Sequence, residues 1–176
     1  MKENASKYGN FAAMIGTSTA VMLALMYLNS YSVEHVFWSE TRFYMALYMG
    51  AAMAIVMLSF MLQMYSNTAR NISIYVGSTL LFALALYLVR SQDTIQDQSW
   101  MKAMIPHHSI AILTSERAEI DDLRVRELAD GIIKAQRREI KEMQWLIDDI
   151  QKNGPASTVE AAEARPVPPF KGKLQP

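Results

Sequence analysis

Two hydrophobic rhythms divide the chain. Phe11–Leu28, Phe43–Tyr65 and Ile72–Val89 run on without a single charged residue. From Arg90 onward, apolar residues recur every three to four positions between charged ones. The first rhythm belongs to helices that are apolar all round, the second to helices with one buried face. A helix needs about 20 residues to cross ~30 Å of hydrocarbon, so three transmembrane helices are predicted over about 11–30, 43–65 and 72–89. Tyr27, Tyr31, Phe37, Trp38, Tyr65, Tyr75 and Tyr87 gather toward the ends of these runs, where aromatic rings favour the membrane interface.

Beyond Arg90 the pattern predicts an antiparallel helical hairpin over 90–153. Asp97 or Ser99 starts a helix that runs to about Ile120. Asp121 and Asp122 form a short turn and an N-cap, and a second helix runs from Leu123 to about Lys152. Asn153-Gly154-Pro155 ends it. Residues 154–176, with five prolines, read as a disordered tail. The expected fold is all-α: a transmembrane region over 1–89, then the hairpin.

Charge sharpens this division. Of the 34 acidic and basic residues only seven (Lys2, Glu3, Lys7, Glu34, Glu40, Arg42 and Arg70) lie in residues 1–89. A soluble globule does not segregate charge in this way, because the outer faces of its helices need polar groups. A cleaved signal peptide is the other reading of the first run, but Asn29-Ser30-Tyr31-Ser32 makes a poor cleavage site, so it is taken as retained. Zero net charge and the lack of a basic run argue against a nucleic-acid partner. With no cysteine, disulfides, thiolate metal sites and thiol catalysis are excluded.

Three spans place the Asn29–Arg42 loop on the same side as residues 90–176, so Glu34 and His35 share a compartment with the hairpin. Counts of flanking Lys and Arg do not decide the orientation. The expectation is a multi-pass inner-membrane protein whose C-terminal domain is periplasmic.

Candidate chemistry lies in methionine and histidine. Met45, Met49, Met53, Met57, Met61 and Met64 wind around the second span. Thioethers pack pliably in lipid and also ligate soft ions, and both readings stay open there. In the hairpin, Met101, Met104, His108, Ala111 and Ser115 share a stripe of the first helix, with His107 to one side. Val125, Leu128, Ile132, Gln136, Glu139, Ile140, Met143, Leu146 and Ile150 share a face of the second. A turn centred near 121–122 sets Met104 opposite Glu139, Met101 opposite Met143, and His107 or His108 opposite Gln136. A carboxylate on an apolar face needs a cation, a protonated partner or water, which marks Glu139. Pro106 either starts the first helix or kinks it.

Residues 100–146 resemble the "domain of unknown function 305" family, whose pattern is Met-x-x-Met-Ile-x-His-His and then a distant Gln-x-x-Glu-Ile-x-x-Met-x-x-Leu. Met101, Met104, Ile105, His107, His108, Gln136, Glu139, Ile140, Met143 and Leu146 match it. The resemblance implies a ferritin-like helical domain, usually exported, with soft-metal ligands carried over to Met101, Met104, His107, His108 and Met143. Leu113 and Thr114 stand where many relatives continue toward a further methionine.

The leading expectation is a membrane-anchored protein that binds Cu(I) or Ag(I) in metal tolerance or delivery, with Met101, Met104, His107, His108, Met143 and Glu139 as its metal residues. The alternative is a non-catalytic structural or assembly module whose hairpin forms a homodimer. Catalysis is not expected. A ferritin-type di-iron site needs Glu-x-x-His pairs, and the three histidines, His35, His107 and His108, stand in none.

Overall fold

The computed structural model describes residues 2–174, and among these the chain forms six α-helices and no strand. They are α1 (Lys2–Leu25), α2 (Glu40–Phe60), α3 (Thr68–Ser91), α4 (Asp97–Arg117), α5 (Leu123–Asn153) and α6 (Val159–Ala164). A 3-10 turn occupies Val33–His35. The protein is all-helical, with three long apolar helices ahead of the rest. Contacts divide the chain into two compact units: Met1–Leu28 with Glu40–Ile95, and Asn29–Ser39 with Gln96–Pro176.

In the first unit, Ser6–Leu25, Glu40–Phe60 and Thr68–Ser91 are each long and apolar enough to cross a membrane. α2 is the central helix, packing on both α1 and α3. Its buried positions include Ala46, Gly50 and Ala54, a small-residue row spaced one turn apart that lets neighbouring backbones come close, and Leu58 one turn further on. At Gly50 an added Cβ would lie 2.2 Å from the Thr19 side-chain oxygen of α1. The methionine row winds beside this seam. Met57 and Met61 pack on the cluster of Phe11, Ala54, Leu58 and Tyr65, while Met64 is exposed. Outward faces are apolar too: Phe60, Ile72, Val76, Leu80 and Leu84 are all exposed.

Polar side chains lock the ends of these helices. The Tyr8 hydroxyl donates to Asn71 Oδ1 at 2.6 Å, and Asn71 Nδ2 donates to the Tyr65 carbonyl at 2.7 Å. Asn67 caps α3, its side chain accepting from Arg70 N–H at 3.0 Å. At the other end, the buried Arg42 donates to the Met26 carbonyl just beyond α1 and lies over the Tyr27 ring. A cation there complements the negative end of the α1 dipole.

In the second unit α4 and α5 run antiparallel. Asp122 caps α5, accepting from Arg124 N–H at 2.9 Å, and Arg124 holds the Asp122 carboxyl below its ordinary pKa. Gly154, at φ 74°, ends α5 in a conformation that favours glycine. Pro106 neither starts nor ends α4 but lies buried inside it, removing the donor that the Lys102 carbonyl would take.

Both helices present a different face from the expected one. The shared core is Met101, Ile105 and Ile112 of α4 with Ile133, Ile140, Met143 and Ile147 of α5. At ~100° per residue, each buried stripe is turned roughly 60–75° from the predicted one. Val125 and Leu128 of the expected α5 face are 48% and 64% exposed. The reason lies outside the hairpin. The Asn29–Ser39 loop lays Tyr31 and Phe37 against the core and covers the Ser109 side of α4, so that side is buried as well.

The tail departs from the disordered expectation. Thr158 caps α6, and Arg165 pairs with Asp149 at 2.7 Å and donates to the Gly154 carbonyl. Further on, the Lys171 and Lys173 carbonyls accept from Lys141 and Arg137 of α5. Gly172 comes so near that an added Cβ would lie 1.8 Å from the Lys134 carbonyl oxygen. Prolines exclude a long helix here, yet leave carbonyls free for the cations of α5.

Candidate functional site

Met104 and His108 are one turn apart on α4, and Glu139 and Met143 are one turn apart on α5, so each pair is a facing i, i+4 couple. His108 Nδ1 stands 3.3 Å from Glu139 Oε2 and joins the couples into a quartet across the seam. Glu139 therefore meets His108, one turn from the expected Met104. Residues 118–122 connect α4 to α5, where the expected turn was 121–122.

Three thioethers lie in the same packed cluster. Met101 and Met143 are 4% and 6% exposed within the cluster, and Met104, partly buried, packs against that cluster. His108 Nδ1 is buried without an aligned hydrogen bond, despite the nearby carboxylate. Burial lowers the His108 pKa below its ordinary value, with His107 adding a smaller push and Glu139 opposing both. The imidazole is thus held neutral, the form that ligates metals. Glu139 also receives Arg138 at 3.2 Å, so its carboxylate is shared.

Not every expected residue joins this quartet. His107 is exposed, its ring centre 6.2 Å from that of His108. Among the described residues, no three His, Asp or Glu side chains come together as a group able to hold a metal ion.

A second polar constellation was not anticipated. Ser109, fully buried, accepts from the Tyr31 backbone N–H at 2.7 Å and lies 2.9 Å from His35 Nδ1. Arg137 pairs with Glu116, donates to the Tyr31 hydroxyl at 3.1 Å and stacks over the Tyr31 ring. The signal for it was a serine between Ile105 and Ile112 on an apolar stripe, together with the parity of three spans.

The family described as Domain of unknown function (DUF305) matches residues 88–168. An uncharacterised protein of Acanthamoeba polyphaga mimivirus is 30% identical over 138 residues, covering 77% of this chain and 89% of the viral one. The chain belongs to the DUF305 family. No solved structure matches it. Within this DUF305 chain the family match takes in α4, α5 and α6, and so the whole quartet but only Ser109, Glu116 and Arg137 of the second constellation. The viral similarity is longer than the family match and reaches into the apolar half.

Proposed function

We propose that this DUF305 protein is a non-catalytic, membrane-anchored carrier of a soft metal ion, Cu(I) or Ag(I), serving tolerance or delivery. The observation that carries this reading is the Met104–His108–Glu139–Met143 quartet, with the buried Nδ1 of His108 unaligned to any hydrogen-bond partner. Thioether and neutral imidazole are donors that suit soft ions, and Met101 adds a further thioether to the same cluster. A zinc site would want three or four nitrogen, thiolate or carboxylate donors, and His108 with Glu139 falls short of that. His107 is reached from solvent and would receive the ion first.

The variant Met101→Leu/Met104→Leu tests this. Leucine keeps the apolar volume, a swap that usually costs under ~1.5 kcal/mol. Helicity by circular dichroism should stay near wild type while Cu(I) affinity, in competition with a coloured chelator, falls. Unchanged affinity in the folded variant would make the methionines packing residues and end the soft-metal reading.

Anchoring rests on the three apolar helices, whose outward residues are exposed and uncharged over most of their length. We place the protein in the inner membrane with the N-terminus inside and the hairpin in the periplasm, where methionine cannot be lost to disulfides. Reporter fusions after residue 160 and at residue 68 check this. Cytoplasmic activity at the former with periplasmic activity at the latter reverses it.

A second reading is favoured by one specific feature. Leu123, Val125 and Leu128 at the start of α5 are exposed at 83%, 48% and 64%. An assembly module that pairs two hairpins would cover them. A concentration-independent monomer by analytical ultracentrifugation would remove this alternative.

A further inference from the structure

α1 and α3 both pack on α2, yet their backbones do not pack on each other among the described residues. Between them, with α2 as floor, runs a groove of about 950 Å³. That lies at the upper end of the ~300–1,000 Å³ usual for ligand sites. Small side chains make the room: Gly16 and Ala20 on α1, Gly77 on α3, Gly50 and Ala54 beneath. Two of the hydroxyls along it are bonded within their own helices, Thr19 Oγ1 donating to the Ile15 carbonyl at 2.8 Å and Ser73 Oγ to the Ala69 carbonyl at 3.0 Å. The lining is predominantly apolar.

One end is different. Arg70 is exposed there, its guanidinium carbon 5.2 Å from the centre of the Tyr8 ring. Tyr8, hydrogen-bonded to Asn71, ties α1 to α3 at that end and closes the groove. From Arg70 to Leu81 the α3 wall runs roughly 17 Å at ~1.5 Å per residue. One leaflet of a ~30 Å hydrocarbon core is about 15 Å deep. The groove thus has the length of a single leaflet, with a cation at its headgroup end.

We propose that this groove binds one anionic phospholipid, its acyl chains lying between α1 and α3 and its phosphate held at the Arg70–Tyr8 end. The proposal rests on the reading that these helices span a membrane. An apolar helix of a second copy would fill the same walls but leave the Arg70 charge unmatched, whereas a phosphodiester matches it. Polybasic and pocketed cations at membrane surfaces recognise anionic headgroups in this way.

The test uses the full chain in nanodiscs of equal phosphatidylcholine and phosphatidylglycerol, with retained lipid counted by native mass spectrometry. Wild type should hold one phosphatidylglycerol per chain in preference to phosphatidylcholine. Neither Gly16 nor Gly77 has an atom within 4 Å of an added Cβ, so Gly16→Phe/Gly77→Phe fills the groove without moving backbone. That variant should lose the retained lipid. Arg70→Gln should keep a lipid but lower the preference for phosphatidylglycerol about fivefold, the equivalent of ~1 kcal/mol for one cation at an anionic surface. Wild type without retained phosphatidylglycerol, or a filled variant that holds as much as wild type, overturns the proposal. So does a wild-type dimer without lipid that the filled variant dissociates, because the groove then belongs to a second copy. Alkaline carbonate extraction of membranes separates the two levels. Wild type that is stripped from the membrane overturns the spanning reading and the groove with it; wild type that stays but shows no lipid preference overturns the groove alone.

Discussion

Ser109 Oγ lies 2.9 Å from His35 Nδ1, although 74 residues separate the two in the chain. The serine also accepts from the Tyr31 N–H at 2.7 Å, so one hydroxyl bonds two residues of the loop, its role toward the imidazole following the histidine tautomer. A buried hydroxyl on α4 thereby holds the Asn29–Ser39 loop in place. Unpairing it would cost about 1–3 kcal/mol of desolvation.

That contact makes the hairpin unit sensitive to pH. Burial lowers the His35 pKa, and Glu34 raises it by less. With a folded value below the unfolded one of about 6.5, the unfolded chain takes up its proton first. The stabilisation is therefore complete above pH ~6.5 and is lost as pH falls through the folded value. His108 shifts in the same direction through burial and adds to the slope. The melting temperature should fall between about pH 7.5 and 5.5, less so in His35→Gln and least in His35→Gln/His108→Gln. Parallel profiles for wild type and the double variant would show that neither imidazole titrates with folding.

The Glu116–Arg137 pair ties α4, α5 and the loop together, its side chains only 22% and 13% exposed. Arg137→Met leaves the Glu116 carboxylate without its cation and removes the bonds to the Tyr31 hydroxyl and the Lys173 carbonyl, so it should cost about 2–3 kcal/mol in urea unfolding. Glu116→Gln should cost less. The double variant should recover about 1 kcal/mol relative to the sum, as expected for partners in one network. Additive losses would show that the two side chains act independently.

Gly50→Ala forces a methyl into Thr19 of α1 and should destabilise the α1–α2 seam by about 1–3 kcal/mol. Thr19→Ala opens space opposite and should restore most of that loss. Unfolding in mixed micelles reads both values, and a Gly50→Ala chain as stable as wild type would mean that α1 shifts freely.

The tail has its own check. Gly172→Ala cannot keep the approach to the Lys134 carbonyl, so residues near it should leave α5. Trypsin should then cut after Lys171 and Lys173 several-fold faster, while the hairpin changes stability by no more than ~0.5 kcal/mol. Unchanged proteolysis would place the contact among the dispensable ones.

Element type and order were legible in the chain because they depend on local pattern. Charge-free runs of the right length predict α1, α2 and α3; Asp122 and Gly154 mark the ends of α5 through bonds made within one turn. Met101, Met104, His108 and Met143 were legible as neighbours, since helical periodicity brings them to adjoining faces. What the pattern left open was which of two apolar stripes on α4 and α5 turns inward. Leu128 and Ile133 are equally good candidates by hydrophobicity, yet only Ile133 is buried. The choice was made by distant segments. Tyr31, Phe37 and His35 cover the Ser109 side of α4, and the tail carbonyls occupy Arg137 and Lys141 on α5. Periodicity specifies a face only when one neighbour is present. With a loop from between α1 and α2 and a tail from beyond α5 also packing on the hairpin, the buried surface is set by how all four segments exclude water together, which no single helix encodes.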